Sequence, residues 1–148
     1  MATEEIRLPN DIEAENDAVR ANPQVLIADP DVERRLAYTV ILEDAGYRVM
    51  GIADMASALA ETAISQPDLI IVQLVEPPTE GLDLCRQVRS GADTRDTPVI
   101  VLTRQDDAYI REQVVRSGGT AILTEPLKRT LLLRQVRRLL SRSRPRAS

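Results

Sequence analysis

The sequence has no histidine, tryptophan or phenylalanine, and its only cysteine is Cys85. Without histidine, Ser-His-Asp and Cys-His mechanisms are excluded, together with every His-containing metal site. One thiol can form neither an internal disulfide nor a thiolate zinc site, and it fits a reducing, cytoplasmic compartment. Three tyrosines, Tyr38, Tyr47 and Tyr109, are too few for a platform that stacks single-stranded bases. No apolar run approaches the roughly 18 residues of a membrane span. The first residues, MATEEIRLPNDIEAEND, are acidic and lack the apolar stretch of a secretory signal. No G-x-x-x-x-G-K-[ST] loop follows any candidate strand, so nucleotide hydrolysis has no support. The sequence is not expected to be an enzyme.

What is present fits one globular domain. The chain has 148 residues, 43% hydrophobic and 28% charged. A chain of this length buries roughly two-thirds of its extended surface on folding, enough for a full core. The net charge of −4 is unevenly spread. Residues 1–23 read as an acidic extension, with a short frayed helix over Ile12–Arg20. Residues 24–141 carry the globular pattern, and 142–148 form a basic tail. From Lys128 onward there are only cations: Arg129, Arg134, Arg137, Arg138, Arg142, Arg144 and Arg146 follow with no acid among them.

Within the globular part, short apolar runs alternate with amphipathic stretches. Strands are predicted at 24–28, 48–51, 69–73, 99–103 and 121–123. Helices are predicted from Val32 to Ala45-Gly46, over Met55–Ser65, Gly81–Ser90 and Asp107–Ser117, and from about Leu127 to Ser141. The first helix offers Val32, Leu36 and Val40 as its apolar row, and the second offers Ala56, Leu59, Ala60, Ala63 and Ile64. The last has Leu131, Leu132, Val136, Leu139 and Leu140 for an inner stripe. Five strands alternating with five helices mean a parallel sheet in a three-layer α/β domain. Chemistry in such sheets gathers at the carboxyl ends of the strands. Those ends are Asp29-Pro30-Asp31, Gly51, Gln73, Thr103-Arg104 and Thr124-Glu125-Pro126.

The segments VLIADPDVERRLAYTVILEDAGYRV, PDLIIVQLVEPPTEGLDLCRQVR, TPVIVLT and SGGTAILTEPL resemble, in order and spacing, a bacterial response-regulator receiver domain. The resemblance implies a flavodoxin-like (CheY-like) sandwich with sheet order 2-1-3-4-5. It also implies an acceptor aspartate at the end of the third strand, phosphorylated by a histidine kinase. Acids after the first strand would bind Mg²⁺, and a Ser/Thr and a Lys would contact the phosphoryl oxygens. An aromatic residue in the fifth strand would report the change.

Carried over residue by residue, most of that chemistry is replaced. The acceptor position is Gln73, and an amide cannot form an acyl phosphate. The adjacent acid pair is reduced to Asp29 followed by Pro30, with Asp31 as a partial substitute, so Mg²⁺ binding is expected to be weak or absent. The lysine position is Glu125 and the aromatic position Ile122. Only Thr103 keeps the family's residue type. Arg104 is the nearest candidate cation for this corner, expected to reach Glu125 or Asp29. Each residue also has a plain structural use: Asp29 and Asp31 as helix caps, Thr103 bonded to backbone, Gln73 satisfied at a sheet edge, Cys85 as a buried thiol.

Together these residues suggest a degenerate pseudo-receiver, acting as a protein-interaction module in signal transduction without phosphorylation. Its partner surface, including a homodimer, would be the fourth helix, fifth strand and last helix. One alternative is a phosphorelay receiver using Asp29 or Asp31 as a displaced acceptor. Another is a nucleic-acid binder using the arginine-rich end, though no DNA-binding module is read after residue 141.

Overall fold

The computed structural model describes residues 22–143. The helix expected over Ile12–Arg20 and the tail arginines Arg144 and Arg146 lie outside them. The strands are β1 (Gln24–Ala28), β2 (Arg48–Ile52), β3 (Leu69–Gln73), β4 (Val99–Thr103) and β5 (Ala121–Thr124). The helices are α1 (Val32–Asp44), α2 (Met55–Ser65), α3 (Thr79–Ser90), α4 (Ala108–Ser117) and α5 (Arg129–Ser143). All strand pairs are parallel, in the order 2-1-3-4-5.

Every residue of β3 and β4 is buried, as strands covered on both faces require. Alternation along the strands divides the core in two. Leu26, Ala28, Ile70, Val72, Val99 and Val101 pack under α2, α3 and α4. Val25, Ile27, Leu69, Ile71, Ile100 and Leu102 pack under α1 and α5. Asp31, Asp54 and Asp107 cap three helices by accepting the backbone N–H of Arg34, Ser57 and Ile110 at 2.8–2.9 Å. Gly46 and Gly118, at φ +100° and +95°, take the left-handed conformation that turns the chain after α1 and α4.

The expected rows of the first two helices are out of phase. Val32, Leu36 and Val40 are 55%, 57% and 54% exposed. The inward face of α1 is Tyr38, Ile41 and Leu42 instead. Contacts from Arg34 and Tyr38 to the strand ends set the rotation of this helix and turn the four-residue row outward. In α2 the buried positions are Met55, Ala58 and Thr62, while Ala56, Ala60, Ala63 and Ile64 are exposed and Leu59 is half-buried. Thr62 passes as an inner residue because its hydroxyl donates to the carbonyl of Ala58 at 2.8 Å within the helix.

The boundaries shift modestly elsewhere. α3 begins at Thr79 rather than Gly81, directly after Pro78, whose fixed φ suits a helix start. α4 begins just after its cap Asp107, and α5 runs over 129–143 rather than 127–141. Its inner stripe holds: Leu132, Val136 and Leu139 are buried, with Leu131 and Leu140 packed against them.

Candidate functional site

Asp29, Gln73 and Glu125 sit at or just past the ends of β1, β3 and β5. They continue the alternation that points toward α1 and α5, so the three side chains converge under the first turns of α1. Thr103 has the opposite parity.

Asp29 is fully buried. The guanidinium of Arg34 meets it as a fork, with Nε donating to Oδ2 at 2.7 Å and Nη2 to Oδ1 at 2.8 Å. Oδ1 also accepts the Asp31 N–H at 2.9 Å. The bond to Asp29 raises Arg34 above its ordinary pKa. Arg35 closes the same end by donating from Nη1 to the carbonyl of Asp29 at 2.7 Å, its aliphatic stem lying over Gly51.

Glu125 is also buried, and no cation pairs with it among the described residues. Gln73 Nε2 donates to its Oε1 at 2.7 Å, and the Tyr38 hydroxyl donates to its Oε2. Burial first, then the bond to Glu125, holds the Tyr38 phenol well above its ordinary value. The carboxylate fixes the amide orientation, since the flipped form would set oxygen against oxygen. Gln73 Oε1 is consequently left buried with no hydrogen-bond partner among the described residues.

The other expected residues take simpler places. Asp31 is exposed and caps α1, and the Arg34 N–H it accepts lowers its pKa. The Thr103 hydroxyl accepts the N–H of Gln105 at 3.0 Å and donates to its carbonyl at 3.1 Å. Ile122 is half-buried against the core beneath α4. Cys85 is buried, and loss of hydration pushes its thiol up to about 11. Pro30 is exposed.

The ion pair expected of Arg104 is made by Arg34. Arg104 is exposed on the far wall of a cleft of about 340 Å³ that Arg34 and Gln73 also line, with neither Asp29 nor Glu125 as its partner. The reason is topological. Arg34 stands in the first turn of the helix directly over Asp29, whereas Arg104 leaves β4 toward solvent. Sequence reading missed Arg34 and Tyr38, although a signal existed. A cation in the first turn of a helix opposes the helix dipole and implies a nearby anion, and Tyr38 follows Arg34 by one turn on the same face.

The family model for the response regulator receiver domain matches residues 25–137. The DNA-binding dual master transcriptional regulator RpaA of Synechocystis is 34% identical over 121 residues, covering 82% of this chain and 50% of the regulator. The chain thus spans about half the length of the curated relatives it matches. The signal receiver domain of a signal transduction histidine kinase from Syntrophus aciditrophicus superposes with a TM-score of 0.77 at 29% identity, covering 85% of this chain and 95% of that one. The chemotaxis protein CheY4 of Vibrio cholerae gives 0.74 at 28%, covering 79% and 98%. With that sheet order and those matches, the chain belongs to the response regulator receiver domain family, the signalling modules of two-component systems.

Proposed function

We propose that this receiver is of the degenerate type: its strand-end pocket is closed to metal and phosphoryl group, and it signals by binding protein partners. The observation that carries the reading is the Arg34 fork on Asp29, which engages both oxygens of the carboxylate. Mg²⁺ takes near-octahedral oxygen ligands at about 2.0–2.1 Å. Here Pro30 has no side-chain oxygen to offer, Gln73 offers one neutral oxygen, and both oxygens of Glu125 are already bonded. These residues do not fit the ion. Among the described residues no group of three or more His, Cys, Asp or Glu is arranged to hold a metal. A displaced acceptor has no better support, because Asp29 is held by Arg34 and Asp31 by the start of α1.

The partner surface we favour is α4, β5 and α5. On α4, Tyr109 and Val115 are 66% and 73% exposed. Thermal unfolding with increasing Mg²⁺ tests the closed pocket. Stabilisation scales with occupancy, so millimolar Mg²⁺ leaves the melting temperature unchanged. A clear rise that disappears in Asp29→Ala would overturn the reading.

A further inference from the structure

α5 carries a row of cations without counter-ions among the described residues. Arg134, Arg138 and Arg142 follow one another at four-residue spacing, with Arg137 beside them and Arg129 five residues before Arg134; all are exposed. None forms an ion pair with a described residue; Arg138 spends its guanidinium on Gln135 Oε1 at 2.6 and 3.2 Å. Like charges at this spacing oppose the helix unless something answers them. A merely solubilising face mixes both signs, and this one does not.

The same chain holds the complementary charge. Glu4, Glu5, Asp11, Glu13, Glu15 and Asp17 precede β1, against Arg7 and Arg20. The point where this segment joins the fold is also favourable. Asn22 and Pro23 enter at the amino end of β1, where the Arg48 N–H bonds the Pro23 carbonyl at 3.0 Å. α5 runs back across the sheet, so its carboxyl end lies at that edge: Leu139 shares a core cluster with Val25 and Leu69, and Leu140 packs against it. Arg138 and Arg142 therefore stand at the edge from which the acidic residues depart. α5 is about 22 Å long at 1.5 Å per residue, and the preceding 21 residues exceed that even as a helix.

We propose that the acidic residues 4–17 dock in cis on the cationic face of α5, as an electrostatic strap over part of the partner surface. Single exposed ion pairs contribute little, but tethering makes the encounter intramolecular and several pairs act together. The proposal rests on charge placement and is independent of the phosphate reading.

A spin label tests it in the full chain. Cys85 is buried and its thiol held up to about 11, so a maleimide nitroxide at neutral pH selects the new thiol of Ala14→Cys, a change that leaves every charge in place. At an ionic strength of about 10 mM, amides along the exposed face of α5 should lose intensity while those of α3, on the opposite side of the sheet, do not. At about 1 M salt the loss should disappear, as it should in Arg134→Glu/Arg138→Glu/Arg142→Glu. Equal intensities on α5 and α3 at low salt, or broadening that survives charge reversal, would overturn the proposal. So would broadening in a mixture of spin-labelled protein with an unlabelled, isotope-enriched copy, because the occupant would then be a second molecule.

Discussion

Arg34 grips Asp29 with both arms of its guanidinium, at 2.7 and 2.8 Å, five residues along the chain. Asp29 is fully buried, and Arg34 retains only about a quarter of its side-chain exposure. A buried carboxylate gives up its hydration and must be answered by hydrogen bonds, and for Asp29 the chain supplies charge-assisted ones from Arg34. The neighbouring carboxylate, Glu125, is held by Gln73 and Tyr38, with no cation pairing with it among the described residues. α1, β1, β3 and the residue after β5 are thereby tied into one polar corner.

Arg34→Ala should cost about 3 kcal/mol of stability in urea unfolding, because it strands a buried charge. Adding Asp29→Asn should recover more than half of that loss, since the penalty belongs to the unpaired carboxylate. Equal instability of the single and double variants would mean that Arg34 matters through packing alone.

Tyr38→Phe removes one of the two side-chain donors to Glu125 and should cost about 2 kcal/mol at neutral pH. The pH dependence has a definite sign. The folded protein holds the Tyr38 proton above the ordinary value of about 10, whereas the unfolded chain releases it there. The contribution is therefore complete below about pH 10 and is lost as pH rises beyond it. Unfolding measured from pH 8 to 11 should show a shallower alkaline decline in Tyr38→Phe than in the native chain.

Gln73→Asp replaces a donor to Glu125 with a second carboxylate. Two carboxylates facing each other in a buried corner repel, and Glu125 loses one of its two side-chain donors, so the variant should be less stable than the native chain by about 2 kcal/mol at neutral pH in urea unfolding. Equal stability of the two chains would mean that the Gln73–Glu125 contact contributes nothing.

The alternation of β-rich runs and amphipathic stretches made the strands legible, because β3 and β4 are uniformly apolar and buried on both faces. Helix rotation was less legible. Val32, Leu36 and Val40 have the spacing of a core row, yet polar contacts from Arg34 and Tyr38 decide which side of α1 faces the sheet. Strand-end positions could be read because they follow from strand length: Asp29, Gln73, Thr103 and Glu125 lie at or just past the ends of β1, β3, β4 and β5. Their partners could not be read, since a sequence pattern does not reveal which helix face lies over which strand end. Arg104 is adjacent in sequence to Thr103 but opens to solvent across the cleft.

Intact mass after incubation with acetyl phosphate and Mg²⁺ tests the closed pocket most directly. The native chain should show no phosphoryl adduct. Gln73→Asp alone should show none either, because Arg34 still holds both oxygens of Asp29 and the Glu125 carboxylate sets a negative charge beside residue 73. A stable gain of one phosphoryl group on the native chain would contradict the account.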